Sequence, residues 1–472
     1  MTHQDQGRNG SGCSHACDLH KALRWLTAGV SLGGIALRSD CTWAPQTLVF
    51  AAMLWAWSDE KTLIERFTTA RKIIIYLYAN QQEPAGSYQA FVKLLRKWTE
   101  PLVEAISVAF RQRMAEVLVG VWRVERWLVF AADGSKVDVP RTRRNEERYS
   151  PKSKLSRAAQ KRRGKKAKRR RSLREARQRK ANVPRIFLTT VWHVGSGLAW
   201  NWRAGPSDSS ERRHLQQMLP TIPHGALLTA DAGFVGYRLW KAILDADHQL
   251  LVRVGSNVKL LKKLGYARER CGMVYLWPDR AAKKCLPPLV LRLVVVSNGR
   301  HPVYLVTSVL DVKQLSDEQA ARVYRRRWGI EVYYRHCKQT FERRKLRSQN
   351  PDNAMVELHW SLLGVWAMGL HAHARLAHQG IPPERMSFAG IWRAYRRPMR
   401  EYKSRPDRGD RMTDLIDRAI IDPYQRRSKA SRDYPRKKQE EAAGPPVIRQ
   451  ATRAQLQQAQ RVKREQTIRL TA

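Results

Sequence analysis

The sequence feature that most constrains the fold is a pair of short apolar runs that each end in an aspartate. One run leads from Trp127 to Asp133 and the other from Ala226 to Asp231, and a glycine follows each aspartate within two residues. Runs of this kind are typical of buried strands that lead into a turn. A single aspartate in such a place is more often a turn residue or a helix cap, but two of them predict an α/β domain with carboxylates beside its sheet.

The chain before the first of these runs has a helical pattern. Apolar residues recur at spacings of three and four, as at Leu19, Leu23 and Leu26. We therefore expect three parts. Residues 1–122 would form an N-terminal helical, DNA-binding domain and residues 123–391 an α/β domain. Residues 392–472 would form a basic C-terminal region that is helical only in pieces and partly disordered.

The charge of the chain indicates its partner. Lys and Arg number 88 against 41 Asp and Glu, a formal net charge of +47, and such a chain repels itself unless a polyanion is near. The segment 141–185 contains 21 Lys or Arg and only three Glu, so we expect a basic loop that cannot pack into a core. Nucleic acid is therefore the expected partner.

Two observations argue against a membrane protein or an exported one. The apolar runs 47–57 and 361–370 are shorter than the roughly 18 residues that a spanning helix needs. The first ten residues lack the basic start and the apolar core of a signal peptide. We expect no membrane partner and a cytoplasmic location.

The six cysteines show no repeating spacing, which favours reduced thiols in a chain of this length. Cys13, His15, Cys17 and His20 lie close together in sequence and could be read as a zinc site. A Cys-x3-Cys pair without a second pair is weak evidence for zinc. We interpret these residues as a loose terminus.

The pattern after the second aspartate changes again. Short apolar runs between residues 256 and 311 alternate with Gly, Pro and Asn and predict a β-rich module. Ser316 and Gln319 then form a capping-box pattern that predicts the start of a long helix.

Four polar residues of this helix are predicted to share one face. At 100° per residue, the directions of Tyr324, Arg327, Glu331 and Lys338 fall within an arc of about 60°. An ion pair between Arg327 and Glu331 on a solvated helix would explain those two residues alone. A functional face is the alternative interpretation, and it depends on which other residues lie nearby.

Asp133, Asp231 and Glu331 would form a metal site if the fold brings them to one edge of the sheet. Hard oxygen ligands of this kind suit magnesium or manganese. Two such ions activate water and stabilise the leaving oxygen during in-line attack on a phosphodiester. The three carboxylates therefore predict two divalent cations, Mg²⁺ or Mn²⁺, as the cofactor.

At these residues the sequence resembles the DDE transposases of the insertion-sequence-four group. The resemblance is carried by Asp133-Gly-Ser, by Ala230-Asp231-Ala-Gly-Phe and by the Tyr-Arg-Glu-Lys signature, whose four residues stand at the family's spacings over 324–338. It covers most of residues 125–375. It implies a ribonuclease-H-like catalytic core within 123–391, with a β-rich insertion at 256–311.

The basic loop 141–185 is not expected in a typical member of this group, and it leaves either Asp133 or Asp138 open as the first metal ligand. We favour Asp133, because it directly follows the apolar run. The resemblance implies that the catalytic, metal-holding residues are Asp133, Asp231 and Glu331, and that the phosphates of DNA beside the cleaved bond meet Tyr324, Arg327 and Lys338.

An aromatic residue of the β-rich insertion can stack, in this family, on a base flipped from the transposon end. Trp277 and Tyr304 are the possible counterparts here. Core packing is the interpretation that we favour for both.

The activity that the resemblance implies is cut-and-paste DNA transposition. The protein would hydrolyse DNA at the transposon ends and join the 3′ ends to target DNA. Its partners would be the terminal inverted repeats, the target DNA and a second copy in a homodimer, at the nucleoid. Two alternatives remain, namely a non-catalytic nucleic-acid-binding protein derived from a transposase and a ribonuclease-H-like nuclease that does not join strands.

Overall fold

The structure is a computed structural model that describes residues 14–151, 183–297, 302–421 and 444–471. The helices of this part of the chain are α1 His15–Thr27, α2 Pro45–Trp57, α3 Leu63–Leu77, α4 Tyr88–Val117, α5 Arg143–Tyr149, α6 Glu211–Met218, α7 Tyr237–Asp245, α8 Asp279–Ala282, α9 Asp317–Arg326, α10 Gly329–Arg335, α11 Pro351–Ala377, α12 Phe388–Arg400, α13 Met412–Asp417 and α14 Arg453–Thr471. The strands are β1 Val129–Asp138, β2 Arg185–His193, β3 Leu198–Gly205, β4 Leu227–Ala230, β5 Gln249–Val254, β6 Lys259–Lys262, β7 Met273–Leu276, β8 Leu289–Ser297, β9 Pro302–Thr307 and β10 Val447–Gln450.

The strands form one mixed sheet in the order β10-β6-β7-β8-β9-β5-β4-β1-β2-β3. Strands β1, β4 and β5 run parallel, whereas β2 is antiparallel to both of its neighbours, β1 and β3. The predicted β-rich module supplies β6 to β9 and continues the same sheet, because β9 pairs with β5. The α/β class expected from the sequence is confirmed.

The helices before β1 pack against the long helix α11. The indole nitrogen of Trp57 on α2 donates to the carbonyl of Gly364 at 3.0 Å, and that of Trp360 donates to the Thr99 hydroxyl on α4 at 2.9 Å. Both indoles are fully buried. The apolar part of α11 is therefore a core helix, and no helix in the described residues is long and apolar enough to cross a membrane.

The chain around the first aspartate differs from its prediction. Strand β1 does not end at Asp133 but continues to Asp138, because β2 pairs with it along its whole second half, from Asp133 opposite Thr190 to Asp138 opposite Arg185. Asp231, in contrast, directly follows β4 as expected.

The prediction of one long helix from Ser316 is also wrong. The capping box of Ser316 and Gln319 is present, but α9 ends at Arg326, α10 starts at Gly329, and a π-helical turn covers His336–Thr340. A Cβ on Gly329 would lie 2.1 Å from the Trp192 ring, so close packing on β2 accompanies the break. At the break, the backbone hydrogen bonds join residues three apart instead of four apart. The Glu331 amide, for example, donates to the Trp328 carbonyl.

Two further expectations need correction. The loose terminus is wrong from His15 onward, because α1 begins there and packs Leu19 and Leu23 into the core. The basic segment 141–185 packs in part, because α5 buries Asn145 and Tyr149. Its centre, residues 152–182, and the C-terminal stretch 422–443, expected to be partly disordered, lie outside the described residues.

Candidate active site

The first two carboxylates lie side by side on neighbouring parallel strands. Ala132 on β1 is opposite Ala230, the last residue of β4, and an aspartate follows each of these two alanines. Asp133 accepts a hydrogen bond of 2.8 Å from the Gly134 amide through Oδ1. Asp231 accepts one of 2.9 Å from the Gly233 amide, which caps a short 3₁₀ turn. The pairing of β1 with β4 therefore places both aspartates next to each other, where β4 ends.

The third carboxylate is brought to the same place by α10. The Tyr334 hydroxyl of this helix donates a hydrogen bond of 2.8 Å to the Asp133 carbonyl. Glu331 lies one turn earlier on the same helix. The contact between Tyr334 and β1 therefore sets the distance between the helix that carries Glu331 and the strand that carries Asp133.

The charges of these carboxylates affect one another. Burial raises the pKa of Asp133 to about 6, and the nearby charges of Asp231 and Glu331 add to the rise, whereas the Gly134 amide and Arg327 oppose it. A buried carboxylate whose pKa is raised by neighbouring carboxylates is stabilised by a bound cation.

Arg327 and Tyr324 border this group. The Arg327 side chain is only 10% exposed, and its Nη2 donates a hydrogen bond of 3.1 Å to Oε1 of Glu331. The guanidinium lies 5.3 Å from the centre of the Tyr324 ring. Burial works against the charge of Arg327, but Tyr324 and Glu331 hold its pKa above the ordinary value. The expected ion pair is present, and it is part of the carboxylate site rather than of a solvated surface.

Lys338 reaches the same strand from the π-helical turn. Its Nζ donates a hydrogen bond of 2.6 Å to the hydroxyl of Ser135, two residues beyond Asp133. Burial lowers the pKa of Lys338, and the charge of Asp138 opposes that shift. The structure thus brings all six residues of the predicted site to the middle of β1 and the adjacent C-terminal end of β4.

Asp138, the alternative first ligand, has a different environment. It forms an ion pair of 2.9 Å with Arg185 on β2. Asp133 lies within reach of the charges of Asp231, Glu331 and Arg327, whereas Asp138 is bound to Arg185. This geometry favours Asp133 as the residue that shares a site with the other two carboxylates.

The aromatic candidates of the β-rich insertion are placed differently from each other. Trp277 is buried and donates from its indole nitrogen to the Leu286 carbonyl at 2.9 Å, so its role is packing. Tyr304 is half-buried on β9, opposite Val254.

The structure adds Trp328 and Glu211, which the sequence patterns did not distinguish. Trp328 is 60% exposed and lines a cavity of about 510 Å³ with Arg253, Tyr324 and Arg327. An exposed indole beside arginines is a surface on which a nucleobase can stack. One signal was available for Trp328, its position directly after Arg327.

Glu211, at the start of α6, is the second residue that the patterns missed. Burial raises the pKa of Glu211, and the charge of Asp231 adds to the rise. No motif in the sequence singles it out, because the contact with Asp231 exists only in the folded chain.

No preformed metal centre is present among the described residues. Nowhere in them, Asp133, Asp231 and Glu331 included, are three His, Cys, Asp or Glu side chains already arranged to hold an ion. Of the N-terminal cluster, His15 lies 3.5 Å from Glu401 and His20 contacts the Tyr78 hydroxyl. Both imidazoles thus have other partners.

The sheet with its three carboxylates and flanking cations defines the class of protein. The family described as the transposase DDE domain matches residues 128–366, which is half of the chain and includes all six site residues. The chain belongs to the DDE transposase family.

Within that family the chain is similar to the transposase InsG for insertion sequence element IS4 of Escherichia coli (strain K12). The two are 26% identical over 221 residues, which cover 44% of this chain. The match spans about half, 49%, of the length of that relative. It confirms the predicted resemblance to the insertion-sequence-four group.

Among solved structures, the chain is similar to the cryo-EM structure of the piggyBac transposase synaptic complex with hairpin DNA. The two share 12% sequence identity with a TM-score of 0.39. The superposition covers 88% of this chain and 85% of that chain.

Proposed function

We propose that the protein is a DNA transposase that cuts DNA at transposon ends by metal-dependent phosphodiester hydrolysis and joins the 3′ ends to target DNA. The observation that carries the proposal is the grouping of Asp133, Asp231 and Glu331, whose charges act on one another, between the cations Arg327 and Lys338. A protein that only binds DNA has no use for three carboxylates that face a polyanion.

The sheet supports a ribonuclease-H-like core. Strands β1 to β5 stand in the order β3-β2-β1-β4-β5, with β2 antiparallel to its two neighbours β1 and β3 and with β4 and β5 parallel to β1. The helix with the last carboxylate packs on β1 through Tyr334. In this arrangement the central strand and its parallel neighbour each present an aspartate.

The donor set fits a divalent cation. Carboxylate oxygens suit Mg²⁺ and Mn²⁺, and the charge crowding at Asp133 is the property that such an ion relieves. Asp133, Asp231 and Glu331 would hold the metal, and we propose two ions. When bound, the ions activate the attacking water or 3′ hydroxyl and stabilise the leaving oxygen.

The remaining site residues act on the DNA backbone. Arg327 uses Nη2 for Glu331, and its guanidinium also lines the cavity beside Trp328, where it would meet a phosphate oxygen. Lys338 places a cation beside the strand of Asp133. The guanidinium of Arg327 lies over the ring of Tyr324, which supports it. Together these groups offset the repulsion between DNA and the carboxylates.

The partners would be the terminal inverted repeats and the target DNA, and a homodimer would pair the two ends. Residues 1–122 would bind DNA, residues 123–391 would carry the catalysis with the basic loop and the β-rich insertion, and residues 392–472 would add basic surface. The net charge of +47 supports a nucleic-acid partner and a place at the nucleoid in the cytoplasm.

The test is to incubate the purified protein and Mg²⁺ with DNA that carries the flanks of its own gene, and to map nicks and joined products. Cuts at defined ends and joined strands are the expected result. Cuts without joining would indicate the nuclease, and binding without cuts would indicate the non-catalytic DNA-binding protein.

A further inference from the structure

In the described part of the chain, a cavity outside the active site is lined by five arginines. It has a volume of about 440 Å³ and lies between α12 and the end of α13. Four of the arginines stand on α12 at helical spacings of three, four and seven residues, so they share one face of that helix, the arginine face. The fifth directly follows α13. The five are Arg393, Arg396, Arg397, Arg400 and Arg418.

The carboxylates that pair with these arginines are fewer. Arg400 donates from Nε to Asp59 at 3.1 Å, and Arg397 donates from Nη2 to Asp410 at 2.8 Å. Glu401 lies 3.4 Å from Nε of Arg397. Within 4 Å, the five guanidinium groups thus meet three carboxylates of the described residues, which leaves an excess of two positive charges at the cavity. Such an excess in a concave surface attracts anions.

Two of the arginines show this excess most clearly. Arg393 is exposed and forms no hydrogen bond or ion pair within the ranges that the structure describes. The guanidinium of Arg396 lies 3.8 Å from the centre of the Trp392 ring. Burial lowers the pKa of Arg396 to about 10, and the charge of Arg400 adds to the fall, whereas Asp59 opposes it. A bound anion would offset the repulsion between these guanidinium groups.

The helix that carries the arginine face also packs against the active site. The Phe388 ring of α12 stacks on His336 of the π-helical turn, with ring centres 4.9 Å apart. Trp392 contacts Phe341 edge to face, with ring centres 4.5 Å apart. The same turn carries Lys338. Packed helices lie about 10 Å apart, which equals about three base pairs of duplex at 3.4 Å each, so the cavity lies within a few base pairs' length of the catalytic residues.

We propose that the arginine face and its cavity bind the phosphate backbone of the DNA a few base pairs from the cleaved bond, and that Arg393 contacts one of these phosphates. The inference rests on the proposed function, because that function supplies the DNA. Contacts with phosphates carry no sequence information, so this surface positions the duplex and does not select it.

The extent of the arginine face favours a strand of DNA over a single small anion. From Arg393 to Arg400 the helix rises by about 10 Å. Consecutive phosphates of one strand are about 3.4 Å apart along the duplex axis, so a row of them can meet arginines along the whole face. A free phosphate ion would occupy only one end of it.

The first experiment measures the affinity of the full-length protein for random and end-containing duplexes across a salt series. Arg393→Gln should weaken both duplexes by the same factor and reduce the slope of log affinity against log salt by about one. Arg393→Lys keeps the charge and should restore the slope. Because Arg393 is exposed and has no partner in the described residues, neither variant removes a contact of the fold.

The second experiment locates the contact by ethylation interference on a duplex that carries the flanks of the protein's own gene. Ethylation of one or two phosphates a few base pairs from the cleaved bond should weaken binding of the wild type but not of Arg393→Gln. Arg280→Gln is the matched control, because Arg280 is also exposed and lacks a partner among the described residues, but lies in the β-rich insertion. It should leave the interference at those phosphates in place.

An unchanged salt slope and an unchanged interference pattern in Arg393→Gln would overturn this site, and cuts at defined ends by the wild type would then leave the proposed function intact. Loss of affinity for the end-containing duplex alone would also contradict the proposal, because the surface would then read sequence. Inorganic phosphate tests the small-anion alternative. If it raises the thermal midpoint of the wild type but not of Arg393→Gln, the cavity is a site for a free anion and the proposal is wrong.

Discussion

Lys338 and Ser135 are joined by a hydrogen bond of 2.6 Å from Nζ to the hydroxyl, although 203 residues separate them in the chain. Ser135 lies two residues beyond Asp133 on β1, so the bond holds an ammonium group beside the first carboxylate. Strand β1, which carries Asp133, therefore also positions Lys338, the last residue of the Tyr-Arg-Glu-Lys signature.

Lys338→Ala should lower DNA cleavage by about 100-fold and general DNA affinity by less than about threefold, because the cation acts only at the cleaved phosphate. Ser135→Ala leaves the charge of Lys338 in place and should lower cleavage by less than Lys338→Ala does. Cleavage rates and binding to a random duplex are the measurements. Lys345→Ala removes a nearby exposed lysine as the control. Equal losses in Lys338→Ala and Lys345→Ala would show that only bulk charge matters.

Asp133→Asn, Asp231→Asn and Glu331→Gln should each lower cleavage by about 1,000-fold or more and leave binding of the ends nearly unchanged, because a lost metal ligand removes several kcal/mol of transition-state stabilisation. Asp138→Asn is the matched control, since it weakens the pair with Arg185 and removes a charge near Lys338 but leaves the three carboxylates in place. Cleavage by the Glu331 variant within about tenfold of the wild type would contradict its role.

Asp133 should make the stability of the metal-free protein depend on pH. Its pKa is about 6 in the folded protein and about 3.8 at the ordinary value, so the folded state binds more protons between these values. The stabilisation that this group contributes is fully present below about pH 4, and about 3 kcal/mol of it is lost as pH rises through 6.

Urea unfolding in EDTA at pH 5 and pH 8 measures this effect as a difference between proteins. Asp133→Asn should gain stability relative to the wild type as pH rises, because the amide has no charge to bury. A difference that stays constant with pH would show that the pKa of Asp133 is not raised in the folded protein.

Gly329→Ala should destabilise the protein by about 1–3 kcal/mol and lower cleavage, because its Cβ would lie 2.1 Å from the Trp192 ring and would push α10 away from β2. Gly120→Ala is the control, since a Cβ there meets no atom within 4 Å. Denaturant unfolding measures the loss. In the double variant Gly329→Ala, Trp192→Leu, the smaller side chain at position 192 should make room for the Cβ and restore part of the cleavage. If cleavage is not restored, the loss in Gly329→Ala does not arise from the contact with Trp192.

Residues 152–182 lie outside the described part of the chain, and their composition of 16 Lys or Arg with one Glu predicts a sequence-blind contact with DNA. If they make about five phosphate contacts, replacement by a Gly-Ser linker should reduce the slope of log affinity against log salt by about four to five. The slope is measured on random and end-containing duplexes. A loss confined to the end-containing duplex would indicate sequence recognition instead.

Local patterns in the sequence were sufficient to predict the elements that depend on neighbouring residues. The apolar runs before Asp133 and Asp231 predicted buried strands, the capping box at Ser316 predicted a helix start, and the spacing from Tyr324 to Lys338 predicted the family. These signals are local, because periodicity, turns and caps act over a few residues of chain.

The way in which these elements meet depends on contacts that form only in the folded chain. Strand β1 continues past Asp133 because β2 supplies hydrogen bonds to it, and the helix divides before Gly329 where Trp192 packs against its backbone. Glu211 approaches Asp231 because α6 packs beside β1 and two glycines leave space. Each of these contacts joins residues that are distant in the chain, so no local pattern encodes it, and the energy of packing and pairing in the folded protein selects it.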